Sequence, residues 1–148
     1  MSVRVLIVDD SITIRAMIQQ VLINERDIEV IGQAANATEA DRFISHSRPD
    51  VITLDVDMPG MGGLEFLQDI MARNPYPVVI VSARAGEGSE LCKQALSLGA
   101  LHCFNKAHIV SRSKCLVEMI HKAASYKKEH PEKFYAKILP NRDVEVME

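Results

Sequence analysis

The chain has 148 residues, of which 47% are hydrophobic and 25% are charged, and its formal net charge is -3 at pH 7. This length fits one domain with a single core, and this composition is typical of a folded globular protein rather than a disordered one. The weakly acidic balance excludes sequence-independent binding to nucleic acid through a strong positive field, so we expect no nucleic acid as a partner.

Cysteine usage and the first residues indicate the compartment. Cys92, Cys103 and Cys115 form an odd set without C-x-x-C spacing, and the chain starts in a strand pattern without a signal-like region. Both features favour the reducing cytoplasm. No apolar run reaches the length of a membrane span, so we also expect no membrane insertion.

Five short apolar segments are predicted to be strands buried on both faces of a parallel sheet. They are VRVLIV (3–8), IEVIG (28–32), VITL (51–54), PVVIVS (77–82) and the weaker LHCF (101–104). Apolar side chains three and four positions apart predict helices between them. These side chains are Ile14, Met17, Ile18, Val21 and Leu22, then Leu64, Leu67 and Met71, then Leu91, Ala95 and Leu98. A last helix is expected at about 109–125. The alternation indicates repeated βαβ units and an open parallel sheet covered on both faces.

Polar side chains follow these strands at the edge where the carboxyl ends of parallel strands meet. They are Asp9 and Asp10, Asp55, Ser82 and Lys106. Ligands of open α/β sheets bind outside this edge. Converging carboxylates raise one another's pKa unless a cation joins them, and an all-oxygen set of ligands favours Mg²⁺ over zinc.

Asp55 is the expected nucleophile of this set. It ends the central strand and opens the glycine-rich stretch DVDMPGMGG, which can bring main-chain carbonyls close to a metal. An aspartyl carboxylate can carry a phosphoryl group covalently. We therefore expect Asp55 to attack a phosphoryl donor, Asp9 and Asp10 to hold the metal, and Ser82 and Lys106 to contact phosphoryl oxygens.

The stretches VLIVDDSITIR, PDVITLDVDMPGMGGLEFL, PVVIVSA, ALSLGA and FNKA resemble the receiver domain of two-component response regulators, most closely that of chemotaxis protein-glutamate methylesterases. The resemblance covers residues 3 to about 124. It implies a flavodoxin-like (βα)5 three-layer sandwich with strand order 2-1-3-4-5, divided into a receiver domain at 1–125 and a partly helical or disordered tail at 126–148. Those last 23 residues are too few for a hydrolase, so we expect a stand-alone receiver rather than a methylesterase.

The resemblance also implies a role for each site residue. Asp55 is the residue phosphorylated by a histidine kinase or phosphotransfer protein. Asp10 and the main-chain carbonyl of Asp57 bind Mg²⁺ directly, and Asp9 acts through water. The metal set is Asp9, Asp10, Asp55 and Asp57, and the residues that contact the phosphoryl group are Ser82, the switch hydroxyl, with Ala83 and Lys106.

The sequence departs from the family pattern at three places. Ala107 follows Lys106 where receivers usually have a proline in a cis bond, and a non-proline cis bond costs about 2.5 to 4 kcal/mol. Cys103 occupies the position of the aromatic residue that moves with the switch hydroxyl, and strand alternation should point the neighbouring Phe104 to the opposite side. Gly62-Gly63 replaces the usual Asp-Gly and is expected to loosen the loop.

These features leave three functions open. The first is a switch that binds a downstream target protein after phosphorylation, in chemotaxis or motility signalling, as a monomer or weak dimer. The second is a phosphorylation-independent interaction module, motivated by Cys103 and Ala107. The third is a phosphatase, because Asp55-x-Asp57 also resembles the D-x-D motif of haloacid-dehalogenase-like enzymes; there, however, D-x-D comes first and the acidic pair late. His102 and Cys103 show no zinc spacing and carry no metal prediction.

Overall fold

The computed structural model describes residues 2–58, 60, 62–86 and 88–138. Its centre is a five-stranded sheet of order β2-β1-β3-β4-β5 in which every neighbouring pair is parallel. The strands are β1 Val3–Val8, β2 Ile28–Ala34, β3 Val51–Leu54, β4 Val78–Ser82 and β5 His102–Asn105. The predicted flavodoxin-like order is therefore confirmed.

The described residues form six α-helices and one 3-10 turn around this sheet. They are α1 Ile12–Ile23, α2 Ala37–Ser47, α3 Gly63–Arg73, α4 Glu90–Ser97, the turn Lys106–His108, α5 Ser113–Glu129 and α6 Pro131–Ile138. No helix in this part of the chain combines the length and apolarity that a membrane span requires.

Two features of the helices differ from the sequence prediction. The last predicted helix, at 109–125, begins later and ends later, because a 3-10 turn follows β5 and the Asn105 side chain accepts the Ala107 N–H at 2.9 Å. Helix α2 was not assigned an apolar stripe. Its start is nevertheless marked in the sequence: Asn36 Oδ1 accepts the N–H of Glu39, and Glu39 Oε1 accepts the N–H of Ala35, which resembles a capping box.

Successive strand residues alternate between two hydrophobic cores, one on each face of the sheet. The core on the α2, α3 and α4 side contains Leu6, Ile52 and Ile80, while the core on the α1 and α5 side contains Ile7 and Val79. Every residue of the central strands β3 and β4 is buried because helices cover both faces of the sheet. The three layers leave the two ends of the sheet as the places where polar side chains collect.

Residues after 125 extend α5 and form α6, which packs near the edge of the sheet where the strands begin. Helix α5 crosses the predicted boundary at 125, and Phe134 of α6 is completely buried in the core that α5 shares. Lys127 Nζ donates to the Pro75 carbonyl at 3.3 Å and lies 5.5 Å from the ring centres of Tyr76 and Phe134. Residues 126–129 and 131–138 are thus helical, and the rest of the predicted tail, 139–148, lies outside the described residues.

Candidate functional site

Two of the predicted site carboxylates lie side by side at the carboxyl edge of the sheet. Asp9 follows β1 and donates its N–H to the Ala34 carbonyl, while Asp55 follows β3 and donates its N–H to the Val8 carbonyl, at 3.0 and 2.9 Å. These bonds continue the sheet by one residue and fix both side chains, each of which is only 1% exposed. Asp10 is exposed, and one carboxylate oxygen from each of the three aspartates lies within 4.8 Å of the others.

Lys106 contacts both buried carboxylates. Its Nζ lies 2.8 Å from Asp9 Oδ2 and 3.1 Å from Asp55 Oδ1, and its side chain is 17% exposed. Lys106 begins the 3-10 turn after β5. The peptide bond to Ala107 is trans, so this turn brings the ammonium to the site without the cis geometry of the family pattern.

Burial and neighbouring charges leave the pKa of two groups raised, those of Asp55 and Lys106. Burial raises the pKa of Asp55, and the nearby Asp9 carboxylate raises it further; the bonds to Lys106 only partly offset this. Burial by itself lowers the pKa of Lys106, but its bonds to Asp9 and Asp55 outweigh burial and leave that pKa raised. The ammonium therefore stays charged at neutral pH, and the carboxylates remain short of positive charge.

The residues present fit a divalent cation. Asp55 Oδ2 is buried and has no hydrogen-bond partner among the described residues, and Asp9 Oδ2 has only the ion-pair contact with Lys106. Three carboxylates face one ammonium, which leaves a formal charge of about -2 that a dication would balance. The donors are all oxygens, as Mg²⁺ prefers. Asp9, Asp10 and Asp55 would hold the ion. Metal binding by the main-chain carbonyl of Asp57 stays a prediction.

Ser82 ends β4 next to this site and is completely buried. Its Oγ accepts the main-chain N–H of Arg84 at 3.1 Å, so the hydroxyl is engaged by its own loop. Ala83 follows at the exposed start of that loop. The structure therefore places Ser82 at the end of the strand next to β3, while the contact of Ser82 and Ala83 with a phosphoryl group stays a prediction.

Cys103 and Phe104 point to opposite faces of β5, as strand alternation predicts. Cys103 packs against the core on the α4 side, with Sγ 4.0 Å from the Cys92 carbonyl, whereas Phe104 is buried in the α5-side core. Burial, with a smaller effect from Cys92, raises the pKa of the Cys103 thiol, which is therefore protonated at neutral pH. The Phe104 ring therefore does not lie on the face of β5 that Cys103 occupies.

Two residues near the site were missed or misread from the sequence. Arg84 was not singled out, and its guanidinium contacts Asp57 Oδ1 at 2.7 Å; no spacing rule marks such a pair 27 positions apart. That the pair Gly62-Gly63 loosens the loop stays a prediction; what the sequence did not mark is the close packing of Gly63. This residue begins α3, donates its N–H to Val56 O at 2.9 Å, and a Cβ there would lie 2.4 Å from the Asp55 carbonyl oxygen. A glycine is needed for this close approach.

Together, the fold and the site define an α/β domain with an acidic pocket and a lysine at the carboxyl edge of a 2-1-3-4-5 sheet. Residues 5–120 match the family described as the response regulator receiver domain, and the chain belongs to this family. Receiver domains bind Mg²⁺ at an acidic pocket and interact with histidine kinases and phosphotransfer proteins. The resemblance predicted from the sequence is confirmed.

The curated relatives are longer than this chain. A protein-glutamate methylesterase/protein-glutamine glutaminase 1 of Caulobacter vibrioides is 44% identical over 121 residues, which are 81% of this chain and 35% of that protein. The chain thus spans about a third of that relative's length. The catalytic part of such methylesterases lies outside the receiver domain.

Solved receiver structures superpose closely on the fold. The response regulator domain of Thermotoga maritima CheB has a TM-score of 0.80 at 32% identity and covers 84% of this chain and 98% of its own. A complex of the P1 domain of CheA3 with CheY6 from R. sphaeroides matches with a TM-score of 0.71 at 30% identity, covering 84% of this chain and 99% of that chain.

Proposed function

We propose that this chain is a phosphorylation-dependent switch in which Asp55 accepts a phosphoryl group and thereby changes binding to a downstream protein. The donor is the phosphohistidine of a histidine kinase or phosphotransfer protein, and the setting is chemotaxis or motility signalling in the cytoplasm. The observation that carries this proposal is the buried Asp55 carboxylate, which is held between Asp9 and Lys106 and keeps one oxygen without a hydrogen bond.

The transfer can be followed through the residues of the chain. A carboxylate oxygen of Asp55 bonds to phosphorus as the bond from phosphorus to the donor nitrogen breaks, and the electron pair of that bond stays on the donor. Lys106 faces the place where charge gathers on the transferring oxygens, and such fixed charges stabilise phosphoryl transfer. Bound Mg²⁺ would neutralise further charge on those oxygens.

Ser82 would convert the new charge into a change of shape. A phosphoryl group adds about -1.5 to -2 charge and several acceptor oxygens. The Ser82 hydroxyl, now bonded to the Arg84 N–H, would turn towards these acceptors and draw the loop before α4 with it. The partner surface is the groove of about 590 Å³ between α4, β5 and α5, whose lining includes Leu96, Cys103 and Phe104.

A phosphorylation-independent interaction module is the second candidate. Its support is that Cys103 and Phe104 face opposite cores, so no aromatic side chain from this segment can follow the Ser82 hydroxyl. A receiver without that coupling would bind its partner equally with and without phosphate. The haloacid-dehalogenase-like alternative has no such support, because the chain belongs to the receiver family.

Intact mass spectrometry tests the first proposal. The protein is incubated with Mg²⁺ and a small acyl phosphate, beside Asp55→Asn, a sample with EDTA, and Asp69→Asn as a matched change at an exposed acid on α3. One added phosphate in the wild type and in Asp69→Asn, absent from Asp55→Asn and with EDTA, is expected. No adduct, while a known receiver is labelled in parallel, would refute the proposal.

Partner binding separates the two candidates. The binding free energy for a target protein should differ between the phosphorylated and the unphosphorylated chain. The expected difference is about 1 to 3 kcal/mol, which is typical of coupled sites. Equal affinity, together with unchanged binding by Asp55→Ala, would favour the phosphorylation-independent module. Sustained turnover of a phosphomonoester would instead indicate an enzyme.

A further inference from the structure

The groove between α4, β5 and α5 gathers sulfur-containing side chains. Its soft or borderline metal donors are Cys92, Cys103, Cys115, Met119, His102 and His108. All three cysteines of the chain are in this set. No aspartate or glutamate is among the described residues that line the groove. Hard cations such as Mg²⁺ prefer carboxylate oxygens, so this lining favours a soft ion instead.

Two of these thiols meet where α4 packs against β5, and they are called the thiol pair below. Cys92 lies in the first turn of α4, and Cys103 is the second residue of β5. The Cys103 Sγ lies 4.0 Å from the Cys92 carbonyl oxygen. The Cys92 side chain also hydrogen-bonds to the Cys103 thiol, which is, after burial, a further reason why the pKa of that thiol is raised. Both sulfur atoms therefore face the same narrow space between the helix and the strand.

The backbone on each side of the thiol pair is fixed. The Ser89 hydroxyl oxygen accepts the Cys92 N–H at 3.1 Å and caps α4, while Cys103 is paired with Ile80 in the parallel sheet. Cys92 is only 9% exposed, so its thiol is largely screened from water. Ligands that are already held in place lose little conformational freedom on binding, which favours a tight site.

The number of donors decides which soft ion fits the thiol pair. Zinc takes four ligands in a structural site. The described residues contain two groups of three possible donor atoms that lie within 4.8 Å of one another, and neither group includes a cysteine. Cu(I) is selected by thiolate sulfur, and two thiolates in a linear arrangement are enough to hold it. Such a site carries one negative charge, and Arg112 in the groove lining supplies a positive charge.

We propose that the thiol pair binds one Cu(I) ion, which bridges α4 and β5. Each thiol releases its proton to solvent, and each sulfur gives an electron pair to the ion. Neither copper nor sulfur changes its oxidation state, so no oxidant is needed. The site goes beyond the proposed function, because it uses neither Asp55 nor a phosphoryl group. It places a metal-dependent link in the groove that the proposed function assigns to the partner protein.

A competition titration tests the site in the full chain. The reduced protein is titrated without oxygen against a coloured Cu(I) chelator, in a reductant that contains no thiol. We expect one Cu(I) per chain in the wild type. Cys92→Ser and Cys103→Ser should each lower the affinity at least about 100-fold, because even the loss of a group behind a ligand costs about 10- to 100-fold. Cys115→Ser is the matched control in the same groove and should bind as the wild type does. Wild-type affinity in Cys92→Ser or Cys103→Ser, or an equal loss in Cys115→Ser, would overturn the proposal.

A second measurement needs no variant. X-ray absorption at the copper edge should find two sulfur neighbours in the wild-type complex, and a shell made mainly of nitrogen or oxygen would overturn the proposal. Asp55→Asn should keep the wild-type affinity for Cu(I), and a loss there would overturn the placement at the thiol pair. Intact Cu(I) binding without a phosphate adduct would refute the proposed function alone, whereas labelling of Asp55 without Cu(I) binding would refute the thiol pair alone.

Discussion

Replacing Lys106 by methionine tests the electrostatic account of the site most directly. Lys106 is the cation that contacts Asp9 and Asp55, and both carboxylates are almost completely buried. Removing one partner of a buried ion pair costs about 3–5 kcal/mol, because the remaining charge is left uncompensated. We expect metal-free Lys106→Met to lose stability in this range at pH 7.

The pH dependence of this loss has a definite sign. Asp55 has a raised pKa in the folded protein, so the folded state binds its proton more tightly than the unfolded chain, whose value is 3.8. Stability then falls as pH rises from that value through the folded pKa. Without Lys106 the folded pKa rises further. The deficit of Lys106→Met should therefore be larger at pH 7 than at acidic pH, and it should fade as acidification protonates Asp55.

Urea unfolding followed by circular dichroism measures these changes, at several pH values and with or without Mg²⁺. A cation that binds only the folded state adds about 2.7 kcal/mol at one hundred times its Kd, so Mg²⁺ should restore much of the loss. Lys93→Met, at an exposed lysine of α4, is the matched control and should change stability by less than about 0.5 kcal/mol. Equal stability of Lys106→Met and the wild type, or a deficit that does not change with pH, would refute the reasoning.

Three further predictions concern stability and metal binding. Asp55→Asn should raise the urea midpoint of the metal-free protein at pH 7, because it removes a buried charge whose pKa is raised, and should abolish the gain from Mg²⁺; a lower midpoint would contradict this. Phe134→Ala should cost about 3–5 kcal/mol in urea unfolding, against less than about 1 kcal/mol for the exposed Tyr135→Ala, if α6 is part of the core. Gly63→Ala should cost about 1–3 kcal/mol and weaken Mg²⁺ binding measured by calorimetry, because the new Cβ meets backbone atoms, whereas Gly62→Ala meets none within 4 Å and should change little.

Much of the fold could be predicted because parallel strands carry a local signal. Buried strands are short β-branched runs, and the helices between them show apolar side chains at helical spacing. The start of α2 was missed because its evidence lies in a capping pattern at Asn36 and Glu39, not in an apolar stripe. The last helix was misplaced because the Asn105 cap starts a 3-10 turn first.

The site residues were predictable for a similar reason. In a parallel sheet every strand ends at the same edge, so side chains such as Asp9, Asp55 and Ser82 must converge wherever their strands pair. The sequence alone thus determined that the carboxylates of Asp9, Asp10 and Asp55 meet. It also indicated that a cation would balance their negative charge. Their individual roles in phosphoryl transfer remain the predictions that the experiments above address.

Only the tertiary structure decided how these groups are held. It placed the Lys106 ammonium against the carboxylates of Asp9 and Asp55 without a cis peptide bond. It also paired Arg84 with Asp57 and buried Phe134 in the core on the α1 and α5 side of the sheet. Each of these contacts joins residues far apart in the sequence, and its existence depends on loop paths and side-chain directions after the crossovers. Local sequence patterns indicate whether a segment is a helix or a strand, and at which edge of the sheet a strand ends. They do not report distances between loops, because these are set by the packing of the whole chain.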